Sequence, residues 1–298
     1  MAQDYHQLLK PEIIHTVSGL NLISKIIVEG YLNGVNHSRR VGYGMEFSQY
    51  RAYQTGDDLR LLDWKMLARS GRYYIKQSEI ETNVSVKFIL DASKSMLHKE
   101  GNLTKMDYAR ILIASLAYLA QKQGDAVGLF ALNDSKLHSL QPKIQKQHFN
   151  RMLLELLDIK SEGQWPTATT NSDKIHDRVH KEMVFFVTDM YEHEEELTHF
   201  IKRLKTLKNE VIVLHLLGSK ELEFQYEGAL TFEDLETGRQ LKVDTEQTKE
   251  IYLNNLNRMI TKTKNFLLSN NISYHLFQLD DPIGEAIKLF IEKRDRLV

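Results

Sequence analysis

The stretch Val84-Ser85-Val86-Lys87-Phe88-Ile89-Leu90-Asp91-Ala92-Ser93-Lys94-Ser95 decides how the rest of this 298-residue chain is read. Residues 84–90 offer two alternating sets, Val84, Val86, Phe88, Leu90 and Ser85, Lys87, Ile89, the mark of a strand that is mostly buried by its end. At Asp91 the apolar run stops, and one carboxylate and two hydroxyls fall within five residues. In open α/β sheets ligands bind at the carboxyl ends of strands. Hard oxygen donors on one tight loop suit a cation such as Mg²⁺ rather than a soft metal. Taken alone, the same residues also serve as a strand-end turn whose side chains cap nearby amides.

A second acid holds a matching place. Met183-Val184-Phe185-Phe186-Val187-Thr188 is a compact apolar run that ends in Asp189. If the two strands are parallel neighbours, both acids reach one rim. Between them Gly163 and Pro166 open a loop that carries Thr167, Thr169 and Thr170.

From Ser85 onward strand and helix signals alternate. Residues 104–123 read as a helix with Thr104 and Asp107 as a capping box and Gly124 as the stop. Strands are predicted at 125–132, 136–140, 210–217 and 274–279, and helices at 149–157, 173–181 and 192–207. A long helix carries Tyr252, Leu256, Met259, Ile260 and Leu267 on one face, and Asp281-Pro282 opens a last one. Residues 230–235 and 239–243 flank Glu236-Thr237-Gly238 as an inserted hairpin. The expectation is an α/β fold: a doubly wound, mostly parallel six-stranded sheet in the order 3-2-1-4-5-6, with residues 136–140 as an antiparallel edge. The order reverses between the first and fourth strands, the two that end in Asp91 and Asp189.

Residues 1–83 do not follow this alternation and are set apart as an N-terminal helix-plus-loop element, leaving 84–298 as the sheet domain with its hairpin at about 228–244. Residues 13–28 read as an amphipathic helix. The following segment, 38–76, is rich in Gly, Arg and Tyr and carries a net charge of +4. Within it Arg51, Arg60 and Trp64 are candidates for a partner-binding surface. Their plainer reading is Arg–Asp pairing and a buried tryptophan.

The bulk numbers exclude several functions. With 42% hydrophobic and 27% charged residues the chain folds as a soluble globule, and a net charge of −1 gives no whole-protein claim on nucleic acid or membrane. The absence of cysteine removes disulfides, thiolate metal sites and cysteine nucleophiles. No apolar run is long enough to span a bilayer and no signal peptide is evident, so a cytoplasmic location is expected. His176 and His180 have helix-face ligand spacing but no third ligand, and a solvated face is the better reading. His215, inside a strand, reads as a satisfied core histidine. There is no phosphate-binding Gly-Lys-Ser/Thr loop and no Gly-x-Ser-x-Gly elbow.

Gly42-Tyr43-Gly44-Met45-Glu46-Phe47, Arg51-x-Tyr53, Gly56-Asp57-Asp58-Leu59-Arg60, Asp63-Trp64 and Ala68-Arg69 resemble the signature of the bacterial domain of unknown function 58 family. Phe232-Glu233-Asp234-Leu235-Glu236-Thr237-Gly238, with Tyr252 downstream, is similar to that family's late hairpin. The Asp-x-Ser-x-Ser, a loop threonine and a later Asp are the parts of a metal-ion-dependent adhesion site in a von Willebrand factor A-like domain. The resemblance implies that fold. It implies Asp91, Ser93, Ser95 and Asp189 as metal ligands, with Thr169 or Thr170 as the fifth and Thr170 preferred. The ion expected is Mg²⁺, with Mn²⁺ or Ca²⁺ as alternatives and a degenerate, metal-free site as another. It further implies a non-enzymatic, metal-dependent protein-binding adaptor partnered with a MoxR-type AAA+ ATPase. The rivals are a metal-assisted hydrolase acting on phosphoesters at the same rim, with His98 and Glu100 as the nearest acid–base groups, and a metal-free scaffold.

Overall fold

The computed structural model of the chain describes residues 8–38, 47–54, 62–78, 84–134, 136–166, 175, 182–192, 195–285 and 287. They divide into two units, Met1–Leu32 with Val84–Val298, and Asn33–Asn83. The grouping counts the N-terminal helical segment with the sheet, whereas the sequence reading set residues 1–83 apart as one element. The reason is burial. Along helix Val17–Ser38 the residues Leu20, Ile23, Ile27 and Val28 are buried at helical spacing, and His15 Nε2 lies 2.7 Å from Asp107 Oδ1.

In the smaller unit Phe47–Ala52 pairs antiparallel with Tyr74–Ser78. Helix Trp64–Ser70 is capped by Asp63, whose side chain accepts from the amides of Lys65 and Met66. Trp64 is 64% exposed, so the buried tryptophan of the plainer reading is not found. It sits at the first position of a helix that has no buried residue. Arg51 lies on the first of these strands, and Arg60 falls outside the described residues.

The larger unit is built on six strands: β1 Ser85–Asp91, β2 Ala126–Leu132, β3 Leu137–Lys143, β4 Glu182–Thr188, β5 Asn209–Leu217 and β6 Ser273–Gln278. They lie in the order β6-β5-β4-β1-β2-β3. Every neighbouring pair is parallel except β2 with the edge strand β3. This is the expected doubly wound sheet, with the reversal between β1 and β4. Leu90 stands opposite Val187 and Asp91 opposite Leu132, so the ends of β1 and β4 open onto one rim.

All seven residues of β1 are buried, which fits a strand covered on both faces. On one face Ile89, Phe130, Val184, Phe186, Val211 and Val213 pack with Trp165, Phe200 and Leu267. Trp165 meets Phe186 and Phe200 edge-on at centroid distances of 5.5 and 5.2 Å. The same layer holds Lys87, whose ammonium is paired with Glu182 and also donates to the carbonyl of Ile175.

Helix Lys105–Lys122 starts with the predicted capping box: the Thr104 hydroxyl accepts from the Asp107 amide at 3.0 Å, and Asp107 accepts from the Thr104 amide at 3.2 Å. The helix expected over 192–207 is shorter, Glu196–Leu204. Glu192 stays outside it and accepts from the Thr198 amide at 2.9 Å, satisfying a free N–H of the first turn. The inserted hairpin is present as Ala229–Glu233 with Gln240–Asp244, pairing only with itself. Helix Thr245–Ser269 follows it. No described helix is long and apolar enough to cross a membrane. The helix predicted at 173–181 and its histidines His176 and His180 lie outside the described residues, Ile175 alone excepted.

Candidate metal centre

The rim at the ends of β1 and β4 is built in two layers. Asp91 is the last residue of β1 and is fully buried. One of its oxygens, Oδ1, accepts from the Ser93 amide at 3.0 Å, closing a turn that folds the loop back over the strand end. Its other oxygen accepts from the Thr188 hydroxyl at 2.7 Å. Thr188 in turn accepts from the Met190 amide at 2.9 Å, so the last residue of β4 locks Asp91 in place. A short 3₁₀ turn, Lys94–Leu97, then brings Ser95 beside Ser93, with their hydroxyl oxygens 2.9 Å apart. Ser95 donates to Asp189 Oδ1 at 3.1 Å.

Four of the five expected ligands therefore converge: Asp91, Ser93, Ser95 and Asp189 are each at most 7% exposed and joined by hydrogen bonds. Thr170 and Thr169 lie outside the described residues. The chain leading to them is nevertheless anchored on the site loop. The Glu162 amide donates to the carbonyl of Ala92, the Lys94 amide to that of Gly163, and the Asp134 amide to that of Gln164. Gly163 has a φ of +65°, and a Cβ there would meet the Asp134 carboxylate at 2.1 Å, so any other residue at this crossing is strained and displaces that carboxylate.

The two acids are not equivalent. Asp189 Oδ2 is held by the Lys105 ammonium at 3.0 Å, and the same ammonium reaches Glu221 Oε1 at 2.9 Å. Burial pushes the Asp189 carboxyl up, but Lys105 and the Tyr191 amide outweigh it and leave it below its ordinary range. Lys105 is conversely raised to about 12, because Asp189 and Glu221 overcome the burial that would lower it. Asp91 forms no ion pair among the described residues. Burial, and then the negative charge of Asp189, push it up to about 6. A buried cluster of carboxylates and hydroxyls, with a deficit of positive charge between two acids, fits a hard divalent cation. Among the described residues no group of three or more His, Cys, Asp or Glu is arranged to hold a metal, so the set relies on hydroxyls as much as on acids.

Sequence reasoning missed several groups here. Thr188 precedes Asp189 and was read only as the end of a strand. Neither Lys105 nor Glu221 is singled out by the sequence pattern. His215 is the satisfied core histidine expected, but it is satisfied by the site itself. Its Nε2 lies 3.0 Å from the Asp189 carbonyl and its Nδ1 2.7 Å from the Tyr274 hydroxyl. Of the acid–base candidates, His98 faces Glu221 at 3.7 Å and Glu100 accepts from the Lys220 amide at 2.8 Å.

The chain is 22% identical over 243 residues to an uncharacterized protein of Mycobacterium tuberculosis, Rv1480, covering 78% of this chain and 75% of that one. Among solved structures it is similar to the conserved hypothetical protein BatB from Bacteroides thetaiotaomicron, at 16% identity and a TM-score of 0.49 over 72% of this chain and all of that one. It is also similar to the SpRpn10 VWA domain, at 12% identity and a TM-score of 0.38 over 69% of this chain and 93% of that one. At such scores the strand order, rather than the likeness, carries the fold. The family described as "Protein of unknown function DUF58" matches residues 49–259, most of the length, and the chain belongs to that family.

Proposed function

We propose that this protein is a non-enzymatic, metal-dependent protein-binding module that grips an acidic side chain of its partner. The observation that carries the reading is the convergence of Asp91, Ser93, Ser95 and Asp189 at the point where the strand order reverses. These four residues, with a loop threonine, would hold Mg²⁺, which supplies a positive charge exposed to one side. The chain's own groups set the donors. Thr188 and the Ser93 amide orient Asp91, Lys105 holds one oxygen of Asp189, and His215 holds its backbone carbonyl. Binding at such a centre is charge-assisted and shielded from bulk water, and therefore selective for carboxylates.

A MoxR-type AAA+ ATPase is the partner that the family resemblance favours, with action in the cytoplasm. The test is a pull-down of such an ATPase by the wild-type chain and by Asp91→Ala, in Mg²⁺ and in EDTA. Capture that needs both Mg²⁺ and Asp91 supports the reading, and capture indifferent to EDTA rejects it. Mg²⁺-dependent turnover of a generic phosphoester that is lost in Asp91→Ala would instead establish the hydrolase reading.

A further inference from the structure

The inserted hairpin ends at the rim. Its turn is organised by Asp234, which accepts from the amides of Glu236 and Thr237 at 2.9 and 3.3 Å and from the Thr237 hydroxyl at 2.6 Å. Gly238, at a φ of +70°, closes the turn by donating to the Asp234 carbonyl at 2.7 Å. Tyr191, two residues beyond Asp189, donates its hydroxyl to Asp234 Oδ2 at 3.1 Å and so ties the turn to the site loop. Glu236, between these anchors, turns its carboxylate toward the hydroxyls of Ser95 and Ser93. Burial, and then the charges of Asp91 and Asp189, push it up to about 7.

A third carboxylate beside two buried acids is unfavourable unless something compensates for it. Yet the turn is folded so that Glu236 meets the two serines proposed as ligands. The hairpin that carries it is a self-contained ribbon with exposed strands, outside the six-stranded sheet. Such a ribbon is the kind of element that opens at small cost. Phe232, one pair short of the last before the turn, packs against Phe224 and Tyr226, so the strands stay anchored while the turn beyond them can move.

We propose that Glu236 is a tethered ligand of the serine–aspartate site. Its carboxylate takes the position that a partner's acidic side chain takes in the complex, and the partner gains the site by displacing the hairpin tip. The proposal rests on the metal-binding reading above and adds to it a built-in competitor.

The test uses Mn²⁺ alone, titrated calorimetrically into the full chain, with and without acetate. Glu236→Ala should weaken Mn²⁺ binding by about tenfold, as loss of a ligand-supporting group does. Acetate, a free carboxylate, should restore most of that loss in Glu236→Ala and change nothing in the wild type, whose slot is filled. Amide exchange at Thr237 and Gly238 should quicken in Glu236→Ala and slow on addition of Mn²⁺ to the wild type. Mn²⁺ affinity that depends on Asp91 but is indifferent to Glu236, or an acetate effect equal in both proteins, overturns the tethered ligand and leaves the metal site standing. A wild type that binds no Mn²⁺, or an Asp91→Asn variant that binds it equally well, overturns the underlying reading instead.

Discussion

Strands β1 and β4 carry buried charge at both ends, and the two ends treat it in opposite ways. At the amino end Lys87 meets Glu182, and the Ile175 carbonyl takes a further proton of the ammonium. Both side chains are almost wholly buried, and the charges cancel. At the carboxyl end two acids of like sign face each other, and among the described residues only Asp189 has a cation. The first arrangement is complete within the chain. The second, on the proposed reading, is completed by a bound cation. Burial of charge does not by itself mark a site; incomplete pairing does.

This contrast can be broken most forcefully at its closed end. Lys87→Ala should destabilise the fold by about 3–5 kcal/mol, since Glu182 is left buried and uncompensated. The double change Lys87→Met with Glu182→Leu should recover most of that in urea unfolding. A single variant as stable as wild type would show that the pair does no structural work.

At the open end the expected effect is a gain. Mg²⁺ at a hundredfold excess over its Kd should stabilise the wild type by about 2.7 kcal/mol, read as a rise in Tm and removed by EDTA. Asp91→Asn should abolish that gain. Without metal, the same variant should be as stable as wild type or more so by about 0.5–2 kcal/mol, because it removes the like-charge conflict with Asp189. Stability lost by Asp91→Asn in EDTA would place Asp91 among the structural residues.

A third change probes the element that joins the two ends. Thr104→Ala removes the cap of the helix that begins with Lys105 and should cost about 1 kcal/mol. If Lys105 is positioned by that cap, Mg²⁺ affinity should shift with it. The smallest effect concerns His148, a buried imidazole that meets the Val127 carbonyl at 3.0 Å and is held below its ordinary value of 6.5 by burial. The unfolded chain takes up the proton first as pH falls, so stability should decline as pH drops through 6.5 and be retained above it. His148→Gln should flatten that slope between neutral and mildly acidic denaturation curves.

How much of this was legible in the sequence follows from how far each interaction reaches along the chain. Asp91, Ser93, Ser95 and Asp189 stand where apolar runs end, so their residue types and the doubly wound order were enough to bring them together. The order itself was legible because β1, β2, β4 and β5 are short and largely apolar and helix Lys105–Lys122 opens on its own cap. Lys105 and Glu236 were not, because nothing local distinguishes a lysine at a helix start or a glutamate in a hairpin turn. Their roles arise from contacts with Asp189 and with the two serines, 84 residues away in the case of Lys105. Helix Glu196–Leu204 was overestimated at its start because Glu192 resembles a first-turn acid while acting from outside the helix. Trp64 carries two readings in the sequence, a partner-binding surface and a buried anchor, and its exposure excludes only the second.

The ring of His215 carries one more consequence. Burial takes its pKa down to about 4, so the imidazole is neutral and has a single N–H. The Asp189 carbonyl can only accept, which assigns that proton to Nε2 and makes Nδ1 the acceptor of the Tyr274 hydroxyl. The peptide plane at Asp189 is thereby fixed from the outermost strand, β6, across β5. Tyr274→Phe would strip an acceptor of its donor two strands from the rim, and a residue far from any ligand thus belongs to the scaffold that aims it.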